Sequence, residues 1–326
     1  MLKKNILFLR GICDTSEVKA IKIDRNGSLY YVMTGSANLH KYLNNEHFDI
    51  STIEFDARKN QDVVLYRTDA IFNQISDADT HTITLEKVEN TYRHFKGNIP
   101  IFNKPENIRK TKRDSIYDIL HNIDKLHVPK TVRIYPNTPS GIYESIEKEN
   151  LKFPVIFRKA GDHGGISTFL IKNRDEHFHA FCLNGEAYYL TEFVDYKNAD
   201  GLYVKHRLVV VDGEVFLRHV MFGKEWMLHH KNQLEMIEER EAYSRRFNAE
   251  VKPFIQPIIS DMHACLDLDY FGMDCHIDSE MNILVFEINA NMNIFAMAET
   301  TVFKEHLDAI RRALISMLMD GRKSAT

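Results

Sequence analysis

The chain has 326 residues, 44% of them hydrophobic and 27% charged, with a formal net charge of −4. That length allows two or three domains, and dispersed basic residues in a net acidic chain argue against nucleic-acid or membrane partners. Four scattered cysteines, Cys13, Cys182, Cys265 and Cys275, form no C-x-x-C and no metal spacing, which fits reduced thiols in a cytoplasmic protein.

Asn5–Leu9 reads as a continuous apolar first strand, because Arg10 cuts the run too short for a signal-peptide core. Asn26-Gly27 signals a tight hairpin turn within Lys22–Val32. A helix-like stretch at Asn38–Asn44, strands at Ser51–Phe55 and Val63–Tyr66, a helix at Leu85–Phe95 and a strand at Ile99–Phe102 follow. This alternation predicts a small parallel α/β sheet over residues 1–107, closed by Asn103-Lys104-Pro105. A helix is expected from Ile108 to Leu120 and a short one at Glu144–Glu149. Strand Pro154–Phe157, the turn Gly161-Asp162-His163-Gly164-Gly165 and strand Ser167–Ile171 come next. Asn184-Gly185 and Asp212-Gly213 mark two more hairpins, the second between Leu208–Val211 and Val215–Leu217. A polar helical stretch spans Asn232–Phe247, and Thr301–Met319 carries an apolar stripe at helical spacing that ends at Gly321. No apolar run reaches the length of a membrane span.

Three places carry chemistry. Along Ile283–Asn289 the side chains alternate, so Glu287 and Asn289 share a face, and Asp274 ends an earlier strand. Two carboxylates and an amide oxygen suit Mg²⁺. The Gly-rich turn offers backbone N–H groups to phosphates, with Arg158 and Lys159 just before it; it lacks the sequence of a P-loop or a dinucleotide fingerprint. The run Tyr189–Asp195 looks like a connection between domains that could read adenine through its backbone, with Glu192 or Asp195 on the ribose or exocyclic amine. Arg207 lies on a hairpin strand, facing opposite His206.

In this order, a cation on a helix, Pro-Val-Ile-Phe-Arg-Lys with its Gly-rich turn, Glu192, Arg207, Asp274 and Phe-Glu-Ile-Asn resemble the ATP-grasp superfamily over about residues 105–320. Relatives of that kind include glutathione synthetase, D-alanine–D-alanine ligase and the ribosomal-protein glutamate ligases. The resemblance implies an α/β (α+β) fold in which two subdomains, 108–191 and 192–320, grip ATP behind the N-terminal domain 1–107. It implies that Asp274, Glu287 and Asn289 hold Mg²⁺, or Mn²⁺ in its place. Arg113, Arg158, Lys159, Gly164 and Gly165 would bind phosphates, and Glu192, Phe193, Val194 and Asp195 the adenosine. Arg207 and Arg158 would act on the transferred phosphoryl group. Arg113 and Arg158 stand where the family has Lys, a change that keeps charge but alters geometry; Lys112 or Lys159 is the alternative at each place. Gly272 replaces an Arg found in some ligases. The segment Trp226–His230 has no general counterpart in the superfamily.

The activity so implied joins a carboxylate, activated as an acyl phosphate, to an amine, with an amino acid, peptide, precursor peptide or protein as substrate and a homodimer as the common assembly. A small-molecule kinase and a non-catalytic nucleotide-binding regulator are the alternatives.

Overall fold

The computed structural model describes residues 3–321 apart from 33, 44–45, 59–62, 64–66, 96–98, 163–164, 166, 176–182 and 296–300. Its first sheet grows from β1 (Lys4–Gly11). A ribbon, β2 (Lys19–Ile23) and β3 (Leu29–Val32), leaves the end of β1 and forms the expected hairpin. β4 (Phe48–Phe55), β5 (Ala70–Asn73), α1 (Thr82–His94) and β6 (Ile101–Phe102) complete the unit. Strand order is β4-β1-β5-β6, all parallel. Ile6, Leu7, Phe8 and Leu9 are buried on both faces, as helix-covered parallel strands require. The helix-like Asn38–Asn44 is a single 3₁₀ turn, Leu39–Tyr42. Most of the strand expected at 63–66 lies outside the described residues, while β5 is a strand that the sequence reading lacked.

The single helix expected over 108–120 is two, α2 (Pro105–Arg109) and α3 (Arg113–Leu120). Between them the Thr111 hydroxyl donates to the Ile108 carbonyl at 2.8 Å and closes the turn. β7 (Leu126–His127) then pairs with a strand far ahead in sequence. The second sheet holds β8 (Thr131–Ile134), β9 (Val155–Lys159), β10 (Phe169–Ile171) and β11 (Tyr188–Glu192) in the order β10-β9-β11-β8. Helix α4 covers it over Pro139–Lys148 and starts earlier than expected, where Thr138 caps Gly141 N ahead of Pro139. The first arm of the Asn184-Gly185 hairpin falls outside the described residues. Where the chain enters and leaves this sheet the two segments touch. Glu192 N donates to Lys130 O at 2.9 Å, and the Thr131 and Thr191 hydroxyls are 3.0 Å apart.

The third sheet is antiparallel, with β12 (Tyr203–Val211), β13 (Glu214–Gly223), β14 (Tyr270–Ile277) and β15 (Ile283–Ala290), and β7 parallel at its edge. Asp212 and Gly213 both have positive φ, 49° and 80°, as the β12–β13 turn requires. The polar stretch after Asn232 forms α5 (Ile237–Arg246), a π turn and then α6 (Lys252–Leu266). Ile255, Ile259, Met262 and Leu266 of α6 are fully buried in the largest core. Helix α7 (Lys304–Asp320) buries Leu307, Ile310, Leu314 and Leu318 in one cluster with Ile6, Phe8 and Phe48 of the first sheet and Val209 and Val211 of the third. Among the described residues no helix is long and apolar enough to cross a membrane.

A buried amide network joins the first sheet to the third. Asn103 Nδ2 donates to Tyr270 O at 2.7 Å and to Asn291 Oδ1 at 2.8 Å, and Asn103 Oδ1 accepts from Tyr270 N at 3.0 Å. Asn291 Nδ2 donates onward to Ile75 O at 2.8 Å. Asn103 also sits at φ 52°, a conformation that Asn tolerates better than other side chains with a Cβ. Asn103→Ala strands several buried polar groups, so it is expected to lower unfolding free energy by about 3 kcal/mol. Urea denaturation measures this; a loss under about 1 kcal/mol would show that the network does not hold the units together.

Candidate active site

Strand register builds the floor of the cleft. Arg207 of β12 stands opposite Asp274 of β14 and opposite His219 of β13, and Asp274 stands opposite Glu287 of β15. Directly opposed residues share a face, so His219, Arg207, Asp274 and Glu287 form one row across four strands. Asn289 lies two residues beyond Glu287 and Lys205 two before Arg207, on the same face. Arg207 grips Asp274 with two hydrogen bonds, Nε to Oδ1 at 2.6 Å and Nη2 to Oδ2 at 2.8 Å; Lys205 Nζ adds 3.3 Å to Oδ2. Burial acts to raise the Asp274 carboxyl, but Arg207 and then Lys205 outweigh it and hold the group well below the usual range. Burial, then Arg207, keeps His219 neutral by pushing its ring far down, and its Nε2 has no partner among the described residues.

Arg113 at the start of α3 covers the other carboxylate. It pairs with Glu287 and donates from Nη1 to Phe286 O at 2.8 Å, while Asn289 Nδ2 donates to Glu287 Oε1. Across the cleft, the second sheet supplies Arg158 and Gly165. Burial first and Arg113 second push the Arg158 guanidinium down to about 10. Its Nη2 donates to Asp162 O, and its Nε has no partner among the described residues. Lys159, by strand alternation, faces away; it pairs with Glu186 at 2.8 Å and is absent from the cavity wall. Of Arg158 and Lys159, it is Arg158 that lines the cleft. Lys112 also misses this cavity. Gly164 lies outside the described residues.

The cavity enclosed has a volume of about 250 Å³. Glu192, Phe193 and Val194 line it where the chain passes from the second sheet to the third; Asp195 does not, and instead lines a groove behind it with His127 and His276. Ile156, Val128, Val194, Leu284 and Phe286 make this end apolar. Trp226, Met227, Leu228 and His229 close it from above. Phe193 meets Trp226 edge to face at 5.5 Å, and the Tyr196 hydroxyl donates to Trp226 O at 2.6 Å. Sequence reasoning left Lys205 without a role and found no superfamily counterpart for the Trp226–His229 wall. The strand period marks Lys205 as a neighbour of Arg207, whereas a long-range wall leaves no local signal.

A smaller cavity of about 30 Å³ opens beside Glu287 and Asn289, lined also by Ser76–Asp79, Lys112, Gly161 and Asp162. Here Asp79 ties the first unit to the second: it pairs with Arg133 at 2.5 Å and accepts from the Tyr189 hydroxyl at 2.8 Å. Arg133 also pairs with Asp114 at 3.0 Å and lies 4.7 Å over the Tyr189 ring.

No protein-family model matches the sequence. The structure resembles the D-alanine–D-alanine ligase from Coxiella burnetii, with a TM-score of 0.58, 12% identity and coverage of 98% of this chain and 94% of that one. It also resembles the Bacillus anthracis D-alanine–D-alanine ligase solved with ATP, with a TM-score of 0.51, 11% identity and coverage of 97% and 96%. This is the ATP-grasp fold. A curated relative, the coenzyme gamma-F420-2:alpha-L-glutamate ligase of Methanocaldococcus jannaschii, is 36% identical over 96 residues, which span 28% of this chain and 31% of that protein.

Among the described residues no three His, Cys, Asp or Glu side chains converge on a metal position. The candidate donors are the oxygens of Asp274, Glu287 and Asn289, a hard set that fits Mg²⁺ in its chemistry.

Gly165 shows how tightly the turn is seated. At φ 74°, a Cβ there would lie 2.7 Å from His229 Nε2 and 3.0 Å from Met227 Sδ. Gly165→Ala is therefore expected to destabilise the fold by more than about 1 kcal/mol. Adding His229→Ala should restore part of that loss. Thermal melts of the single and double variants check it; no recovery in the double variant would mean that the clash is not the cause.

Proposed function

We propose that the chain is an ATP- and Mg²⁺-dependent carboxylate–amine ligase, built as the three parts 1–107, 108–191 and 192–320. The observation that carries this reading is a charge imbalance in the cleft. Four cations, Arg113, Arg158, Lys205 and Arg207, line it with three carboxylates, Glu192, Asp274 and Glu287. A polyphosphate arriving with a divalent cation balances that excess, whereas a neutral ligand leaves it in place. The apolar slot between Val194, Phe286 and Trp226 suits a purine ring beside the backbone of Glu192–Val194, as expected for ATP.

Asp274, Glu287 and Asn289 would hold Mg²⁺, which supplies neutralisation of the phosphate oxygens. Arg113, Arg158 and Arg207, with Lys205 added to the expected set, bind and align the phosphates. A substrate carboxylate oxygen then bonds to the γ-phosphorus as ADP leaves. The amine nitrogen bonds to the acyl carbon as phosphate leaves, and the amine gives up its proton. Gly165, seated against His229 and Met227, closes the cleft on the side where water would otherwise hydrolyse the acyl phosphate. The glutamate ligase relative supports an amino acid or peptide substrate. Because the match spans only 31% of that protein, the substrate belongs to this proposal.

The test is phosphate release from Mg-ATP across pools of amino acids and peptides, comparing wild type with Glu287→Gln. Release that needs both a carboxylate and an amine, and falls about a hundredfold or more in the variant, is the expected result. A stable phosphorylated product would favour a kinase, and tight ATP binding with no turnover in any pool a regulator.

A further inference from the structure

The β2–β3 ribbon has no third strand on either edge among the described residues, and two strands alone are marginal in water. Its register sets Ile23 opposite Leu29 and Lys22 opposite Tyr30, with a bulge between Ala20 and Lys22. Ile23 is 69% exposed and Leu29 54%, and Val18, Ile21, Tyr30 and Tyr31 are exposed beside them. Single exposed apolar residues are ordinary, but a contiguous set on one ribbon marks a binding surface.

Charge identifies the occupant. Lys22 and Arg25 are exposed, and Lys22 Nζ lies 4.9 Å over the Tyr30 ring. The carboxylate of Asp24 is engaged within its own turn, accepting from Asn26 N and Ser28 N at 2.9 Å each and from the Tyr30 hydroxyl at 3.3 Å. With Lys19, Lys22 and Arg25 against Asp24 over residues 19–32, the ribbon carries net positive charge and exposed apolar side chains on a chain of net charge −4. An acidic partner complements both properties.

The root of the ribbon is tied to the smaller cavity. Asp14 N donates to Thr80 O at 2.8 Å, and Ser36 bridges to Ile75. These flank the Ser76–Asp79 loop that faces Glu287 and Asn289.

We propose that β2–β3 is a docking edge for an acidic peptide segment of a partner protein. An extended chain with Asp or Glu alternating with apolar residues adds a third strand, its apolar side chains on Ile23 and Leu29 and its carboxylates on Lys22 and Arg25. The docking stands apart from the ligase reading; only delivery of a docked peptide's terminus to the cleft rests on that reading.

The test is fluorescence anisotropy of a labelled peptide alternating Glu and Val, and of its Lys-for-Glu counterpart, with the full chain. Mg-ATP binding is measured on every variant. The acidic peptide is expected to bind about tenfold tighter than the basic one. Lys22→Glu with Arg25→Glu should reverse that preference, and Ile23→Ser should weaken binding about tenfold, all with Mg-ATP binding unchanged. Equal affinity for the two peptides, no binding, or variants that bind like wild type would overturn the proposal. So would a dimer in sedimentation that Ile23→Ser dissociates, because the occupant would then be a second copy. Acidic-peptide binding by a chain that fails to bind Mg-ATP would uphold the docking edge and refute the ligase reading.

Discussion

The cleft depends on keeping buried charges paired on one face of a sheet. Asp274 is only 8% exposed, and an unpaired ion at such depth costs several kcal/mol. The antiparallel register solves this by placing Arg207 directly across from it, with an extra residue, Arg218, bulging from β13 opposite Arg207 and Leu208, and another, Phe286, from β15 opposite Asp274 and Cys275. Such bulges re-aim side chains and bend the strand. Glu287 in the next strand takes its cation from Arg113, so α3 must sit over the end of the sheet. That requirement links a helix near residue 113 to a strand near residue 287, and it fixes the mouth of the cavity.

The same logic of satisfied polar groups joins the larger units. Asn103, Asn291 and Asp269 form a buried set at the seam between the first and third sheets, where the Asn103 N–H donates to Asp269 Oδ2 at 2.7 Å. Apolar packing by α7 covers the opposite side of that seam. One seam is directional and polar, and the other is non-directional and apolar. Together they fix both register and distance, which neither could do alone.

How much of this was legible follows from how local each signal is. Asn5–Leu9 and the Asp212-Gly213 turn are written in adjacent residues, and the structure contains both; the alternation expected along Ile283–Asn289 breaks at Phe286, the extra residue of a bulge, which lines the cavity with Glu287. Helix α6 has no counterpart in the sequence reading; it contains Pro253 and Pro257, and Pro253 falls in the first turn, where its missing N–H is harmless. β5 has four residues, too few for a period to show. The Arg207–Asp274–Glu287 row was half visible: the residue types could be chosen, but not that two of them would be ion-paired with each other. The Trp226–His229 wall and the Asp79–Arg133 tie arise from contacts between distant segments, which no local pattern encodes. The ATP-grasp fold was legible from the order of the elements rather than from any one of them.

Because β7 belongs to the third sheet, the second sheet is attached to the rest of the chain at its start and its end on the same body. Those two attachments run side by side, with Lys130 and Glu192 joined by a backbone hydrogen bond. Once the Asp79 contacts to Arg133 and Tyr189 are released, a slab held by two adjacent strands swings about one axis and is stiff against twisting or sliding. The residues of the apolar slot lie at that axis, where a swing barely moves them, while Arg158 and Gly165 lie out along the arm. A ring seated at the pivot could stay in place as the arm opened, so the geometry separates holding a ligand from releasing its charged end.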